Sequence, residues 1–95
     1  MMNPLEMLAR AYKIAYREVF GVEYSTNECI LIPVKTVYET AKRLGIIPSN
    51  MTFSDFDRLC RELAEKYPNK VEYHIHPYYI DNPEVGASIC IKRRN

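Results

Sequence analysis

The sequence predicts a single α+β domain in which three amphipathic helices are followed by a β-hairpin. Two observations lead to this prediction. Apolar residues recur at helical spacing in three separate segments, and after residue 70 they change to the two-residue alternation of strands. A chain of 95 residues has room for one hydrophobic core. We therefore treat residues 1–95 as one domain that ends in a basic tail at 92–95.

The first helix is predicted from Pro4 to Phe20. Asn3 suits the N-cap, Pro4 takes the first helical position and Glu6 follows the cap by three residues. Gly21 can end the helix in the left-handed conformation. The apolar stripe contains Leu5, Leu8, Tyr12, Ala15, Tyr16 and Val19, and it is widened by Met7, Ala11 and Ile14. A face this wide suits either a homodimer formed through the first helix or a helix covered by its own core, and both remain open.

A short strand and a second helix are predicted next. Residues 29–32 form a β-branched apolar run that stops at Pro33, which suits a brief strand and a helix entry. The second helix is predicted over residues 34–44, where apolar residues follow the i, i+3, i+4, i+7 pattern, and Gly45 ends it. In the longer turn that follows, Ile46, Ile47 and Met51 are expected to pin the chain to the core.

The third helix is predicted over residues 53–66. Its inward stripe contains Phe53, Phe56, Leu59, Cys60 and Leu63. Thr52 and Asp55 have the spacing of an acidic capping box at its start. The outward face is expected to contain four acids and three bases, with pairs such as Asp57 to Arg61: Ser54, Asp55, Asp57, Arg58, Arg61, Glu62, Glu65 and Lys66.

A hairpin is predicted at the end of the chain. Val71, Tyr73 and Ile75 alternate with polar residues, residues 82–86 supply the turn, and residues 87–92 return with the same alternation.

This order of helix, short strand, helix, turn, helix and hairpin resembles the winged helix-turn-helix family, particularly the small single-domain members found in archaea and their viruses. The resemblance implies a winged-helix transcriptional regulator that binds duplex DNA as a homodimer, with residues 53–66 in the major groove and a wing near residues 81–86. Candidate DNA contacts are Arg58 and Arg61 in the groove, Thr52 and Ser54 near the helix start, Lys35, Lys42 and Arg43 on the backbone, and Arg93 and Arg94 in the tail.

The charge distribution also favours a second hypothesis. The net charge is only +1, and the predicted wing tip contains Asp81 and Glu84 but no lysine or arginine. A winged-helix module that binds a protein partner at this acidic wing, without binding DNA, is therefore the alternative.

The three cysteines show no metal or redox motif. Cys29, Cys60 and Cys90 are too far apart in the sequence to form a Cys-x-x-Cys motif. We therefore expect buried thiols, and one disulfide is the alternative if the source is a thermophile. The absence of glutamine favours a thermophilic source, whereas six asparagines favour the opposite. His74 and His76 share a strand face with Cys90 and suit zinc, but a fourth ligand is not evident and no metal is predicted.

Other classes of protein receive little support. The chain has no Gly-rich phosphate loop and no nucleophile elbow, so neither an enzyme nor a cofactor is predicted. It has no run of 18 apolar residues and no signal-peptide pattern at its start, so we expect a cytoplasmic protein without a membrane segment.

Overall fold

The computed structural model describes residues 3–24, 29–77 and 86–92. The helices are α1 (Pro4–Phe20), α2 (Val34–Arg43) and α3 (Phe53–Lys66), and the strands are β1 (Ile32–Pro33), β2 (Val71–Ile75) and β3 (Ala87–Ile91). This confirms the predicted α+β class, with three helices and a small antiparallel sheet. No helix in these ranges is long and apolar enough to cross a membrane.

The two longer helices begin with the predicted capping boxes. At α1 the Asn3 side chain accepts a hydrogen bond from the Glu6 amide, and the Glu6 carboxylate accepts one from the Asn3 amide. Thr52 and Asp55 make the equivalent pair of bonds at α3. Gly21 has a φ of 75°, so the left-handed end predicted for α1 is also confirmed.

The second helix ends one residue earlier than predicted. Its last residue is Arg43, and Gly45, with a φ of 68°, donates its amide to the Lys42 carbonyl. The turn that follows is held by the core, as expected, because Ile47 is buried and the Tyr38 hydroxyl donates to the Met51 carbonyl at 2.9 Å. The start of α3 is thereby fixed against α2.

The two strands of the predicted hairpin join the short strand in one sheet of order β1-β3-β2, and the short strand covers Ile32–Pro33 and not the predicted residues 29–32. Strand β3 pairs with β2 along its whole length, from Ala87 opposite Ile75 to Ile91 opposite Val71. On its other edge it pairs with β1, where Ile32 lies opposite Ile89. The C-terminal strand therefore occupies the centre of the sheet.

All five residues of β3 are buried, although Ser88 and Cys90 alternate with Ile89 and Ile91 along the strand. Ser88 and Cys90 point away from Ile89 and Ile91, toward what we name the outer sheet face, together with Glu72 and His74 opposite them. Cys29 is bonded to Cys90 and brings the chain across this face.

The core is shared by every element. Its fully buried large side chains include Leu8 and Tyr12 from α1, Val37 from α2, Phe56 from α3 and Ile89 from β3. The inner side of α3 packs on this core, and this packing fixes the position of its outward surface.

Candidate nucleic-acid interface

Helix α3 presents an exposed stripe made of Ser54, Arg58 and Arg61. These residues are four and three positions apart, so they lie on one side of the helix. The opposite side contains Phe56 and Cys60, which are buried in the core. The stripe therefore faces outward, as the sequence predicts.

The placement of Asp57 corrects the predicted outward face. Asp57 is only 5% exposed, and its carboxylate accepts a hydrogen bond from the Tyr73 hydroxyl at 2.8 Å. The reason is that β2 packs against the side of α3 where Asp57 lies, so the carboxylate meets a strand instead of Arg61. One of the four acids predicted on the outward face is thus withdrawn from it.

Arg58 is held loosely. Its guanidinium lies 3.1 Å from the Asp55 carboxylate, and the two side chains are 57% and 44% exposed. An exposed pair of this kind contributes little to stability, so Arg58 can exchange this partner for a phosphate or a base. Arg61 is exposed and makes no ion pair with any residue that the structure describes.

The Asp55 carboxylate already accepts a hydrogen bond from the Thr52 amide at the start of the helix. Its pKa is lowered first by the backbone hydrogen bond from Thr52, with further contributions from the Thr52 side chain and from Arg58. The hydroxyl oxygen of Thr52 accepts a hydrogen bond from the Asp55 backbone amide. The hydroxyl hydrogen of Thr52 is therefore available to donate outward. Ser54 is exposed one turn before Arg58.

The predicted backbone contacts in α2 are placed less favourably. The Arg43 guanidinium binds both oxygens of the Glu18 carboxylate at 2.6 and 2.7 Å, which ties α2 to α1. Lys42 is exposed, with its ammonium 5.7 Å from the Tyr38 ring centre. Lys35 is half-buried. Of the three, Lys42 is the residue best placed to reach a phosphate.

Some predicted contacts lie outside the described residues. Arg93 and Arg94 in the tail belong to this group, and so do Asp81 and Glu84 at the predicted wing tip.

A second positive region lies beside the first helix. A shallow cleft of about 190 Å³ is lined by Leu5, Glu6, Ala9, Lys13, Lys70, Ile91 and Lys92. The lining contains three lysines and one glutamate, so this cleft is a second surface, besides α3, that could attract a polyanion. The sequence pattern did not reveal it, because its three lysines are far apart in the sequence.

The outer sheet face also differs from expectation. Cys29 and Cys90 form a disulfide with Cα atoms 5.4 Å apart, so the prediction of buried thiols is wrong for them and right for Cys60. Burial, followed by the nearby charge of Asp57, raises the pKa of the Cys60 thiol well above its usual range.

His74 shares the outer sheet face with Cys90, as predicted, but among the described residues the two histidines and Cys90 do not come together as a ligand group. His74 Nε2 lies 2.9 Å from Glu72 Oε1, whereas His76 Nε2 lies 3.1 Å from Ser88 Oγ. No sequence motif points to Glu72, because its proximity to Cys90 follows only from the strand register.

Comparison of the chain with protein-family models, curated proteins and solved structures found no match.

Proposed function

We propose that the protein is a winged-helix DNA-binding protein, a small transcriptional regulator that reads duplex DNA with α3. One observation carries the proposal: Asp57 is turned into the protein, so this acid does not lie beside Ser54, Arg58 and Arg61 on the exposed side of α3. Phosphate attraction dominates DNA affinity, and an acid in this stripe would oppose it.

The dimensions of α3 support this use. Its 14 residues span about 21 Å, and a major groove about 12 Å wide accepts a helix. Recognition helices contact base edges mainly with their N-terminal part, where the stripe lies. Glu65, the next residue along the same side, falls in the last turn and away from the bases. Arg58 and Arg61 have the bidentate donors that suit guanine.

The wing is assigned a smaller part. Its predicted tip contains the acidic residues Asp81 and Glu84 and no lysine or arginine, so we expect no favourable phosphate contact there. Lys42 supplies a backbone contact instead, and the basic tail adds long-range attraction.

We extend the proposal to a homodimer through the first helix. Val19 and Phe20 at its C-terminal end and Val22 just after it are 52%, 47% and 58% exposed. Such residues favour association, and helix-turn-helix dimers bind two half-sites. Replacing Phe20 by serine is expected to shift the mass measured by light scattering from dimer to monomer.

The same apolar residues favour a second function, a protein-interaction module that does not bind DNA. The two functions are separated by fluorescence anisotropy of a labelled random duplex, titrated with protein at about 50 and about 200 mM salt. Steeply salt-dependent binding supports the DNA function. No binding at the lower salt concentration rejects it and leaves the protein-interaction module.

A pair of double variants tests which surface contacts DNA. Arg58→Ala with Arg61→Ala is expected to weaken binding and to reduce the slope of log K against log salt by about 1 to 2. Lys13→Ala with Lys70→Ala removes the same charge from the cleft beside α1 and is expected to change affinity less. The opposite ranking would assign DNA binding to the cleft and remove α3 from the interface.

A further inference from the structure

The outer sheet face brings together three potential metal ligands. The sulfur atoms of Cys29 and Cys90 and a carboxylate oxygen of Glu72 lie within 4.8 Å of one another. Strand pairing produces this proximity, because Glu72 stands directly opposite Cys90. Among the residues described, no other group of three or more histidine, cysteine or acidic side chains meets that distance.

A fourth ligand stands next to the carboxylate. His74 Nε2 lies 2.9 Å from Glu72 Oε1, and its side chain is 49% exposed. Its ring is therefore able to turn toward an ion held by Glu72. The set then contains two sulfurs, one oxygen and one nitrogen, a combination that suits zinc better than magnesium or calcium.

We propose that reduction of the Cys29–Cys90 disulfide converts this cluster into a zinc site, with Cys29, Cys90, Glu72 and His74 as ligands. This zinc site would form whether or not the protein binds DNA.

The chemistry is balanced by a dithiol reductant. The reductant gives two electrons and two protons, its own sulfurs form a disulfide, and the protein gains two thiols. Zinc then binds both sulfurs as thiolates and releases the two thiol protons to solvent. The sulfurs that form the disulfide are the zinc ligands, so the disulfide and the metal exclude each other.

The backbone spacing fits both states. Zn–S bonds of about 2.3 Å at a tetrahedral centre place two sulfurs about 3.8 Å apart. With the Cα atoms of Cys29 and Cys90 5.4 Å apart, rotation about the side-chain bonds can supply that separation. The chain before β1 would stay fastened to β3 in either state.

The surrounding charge also fits. Two thiolates and one carboxylate bound to Zn²⁺ leave a net charge of −1. Lys92 Nζ lies 3.0 Å from the second oxygen of Glu72 and offsets this charge.

Cobalt provides the direct test, because Co²⁺ in a tetrahedral thiolate site gives charge-transfer and d–d absorption. Protein reduced with a phosphine and desalted without oxygen is titrated with Co²⁺, and Zn²⁺ is added last. We expect one equivalent of Co²⁺ to bind, both absorptions to develop, and Zn²⁺ to abolish them. The disulfide-bonded protein is expected to show neither absorption.

Three variants identify the ligands. Glu72→Gln keeps the disulfide and can be purified folded; after reduction it is expected to bind Co²⁺ at least about tenfold more weakly. His74→Ala is expected to change the d–d spectrum. Cys60→Ser is the matched control and is expected to bind like the wild type, since Cys60 is buried in the core.

Circular dichroism of the same samples follows folding. A reduced protein that unfolds and recovers its helix signal with Zn²⁺ supports the site, because metal binding would then replace the disulfide. A reduced wild type without charge-transfer absorption overturns the proposal. Equal Co²⁺ affinity in Glu72→Gln removes Glu72 from the site and overturns the proposal as stated.

Discussion

The exposed stripe of α3 and the outer sheet face are both polar clusters, but they are assembled in different ways. The stripe draws Ser54, Arg58 and Arg61 from two turns of one helix, and the helical period alone aligns them. On the outer sheet face, Cys29 and Cys90 are 61 residues apart in the sequence and meet only in the finished fold. A local cluster therefore persists wherever its helix forms, whereas the distant one depends on the whole tertiary structure.

Breaking the disulfide tests the distant cluster and has the largest expected effect. Loss of a cross-link between residues 61 positions apart removes about 4 kcal/mol from the free energy of unfolding, because the unfolded chain regains conformational freedom. Urea denaturation with and without reductant, in a buffer with a metal chelator, measures this change. A Cys29→Ala, Cys90→Ala variant is the control, and its midpoint should not respond to the reductant. Equal midpoints for the wild type would contradict the prediction.

The hydrogen bond between Tyr73 and Asp57 links the two regions, because it joins β2 to α3. Tyr73→Phe removes a donor from a buried carboxylate and is expected to lower the free energy of unfolding by about 1.5 to 3 kcal/mol. Chemical denaturation measures the loss. Duplex affinity of the folded variant should stay within about twofold of the wild type, since the stripe itself is untouched. A much larger loss of affinity would show that the strand positions the stripe.

The N-cap of α3 stabilises the helix that carries the exposed stripe, and Thr52 variants test this contribution. Thr52→Ala is expected to cost about 1 kcal/mol, because the Asp55 amide loses its acceptor at the first turn. Thr52→Ser retains the hydroxyl and should recover most of the difference in thermal denaturation. If serine is no better than alanine, the cap does not stabilise the helix as the geometry indicates.

Acid provides the smallest and most selective change. The pKa of Glu72 is lowered in the folded protein, so its carboxylate stabilises the fold above the usual pKa of 4.5, and this contribution is lost as pH falls through the folded pKa. The difference in Tm between the wild type and Glu72→Gln should therefore shrink as the pH is lowered from about 6 to about 3. A difference that does not change with pH would mean that the Glu72 charge does not act on stability.

The contrast between the two clusters also explains what the sequence could predict. The bounds of α1 and α3 agree with prediction because capping side chains and apolar spacing act within a few residues. Asp57 was placed on the wrong face because its environment is set by Tyr73, 16 positions later. The pairing of Cys29 with Cys90, and Glu72 beside them, depends on the strand register and on the path of the chain before β1, neither of which has a local signal.

The central place of β3 has a consequence for synthesis. Among the residues that the structure describes, strand β1, at Ile32–Pro33, pairs with β3 and with no other strand, so this pairing must wait until Ala87–Ile91 leave the ribosome. At about 5 to 20 residues per second, this takes about 3 to 12 s after β1 is made. During that interval the nascent helices can form, but their apolar faces lack the sheet that covers them. The growing chain is thus exposed to aggregation until almost the last of its described residues is translated, and its dependence on chaperones should be greatest in that window.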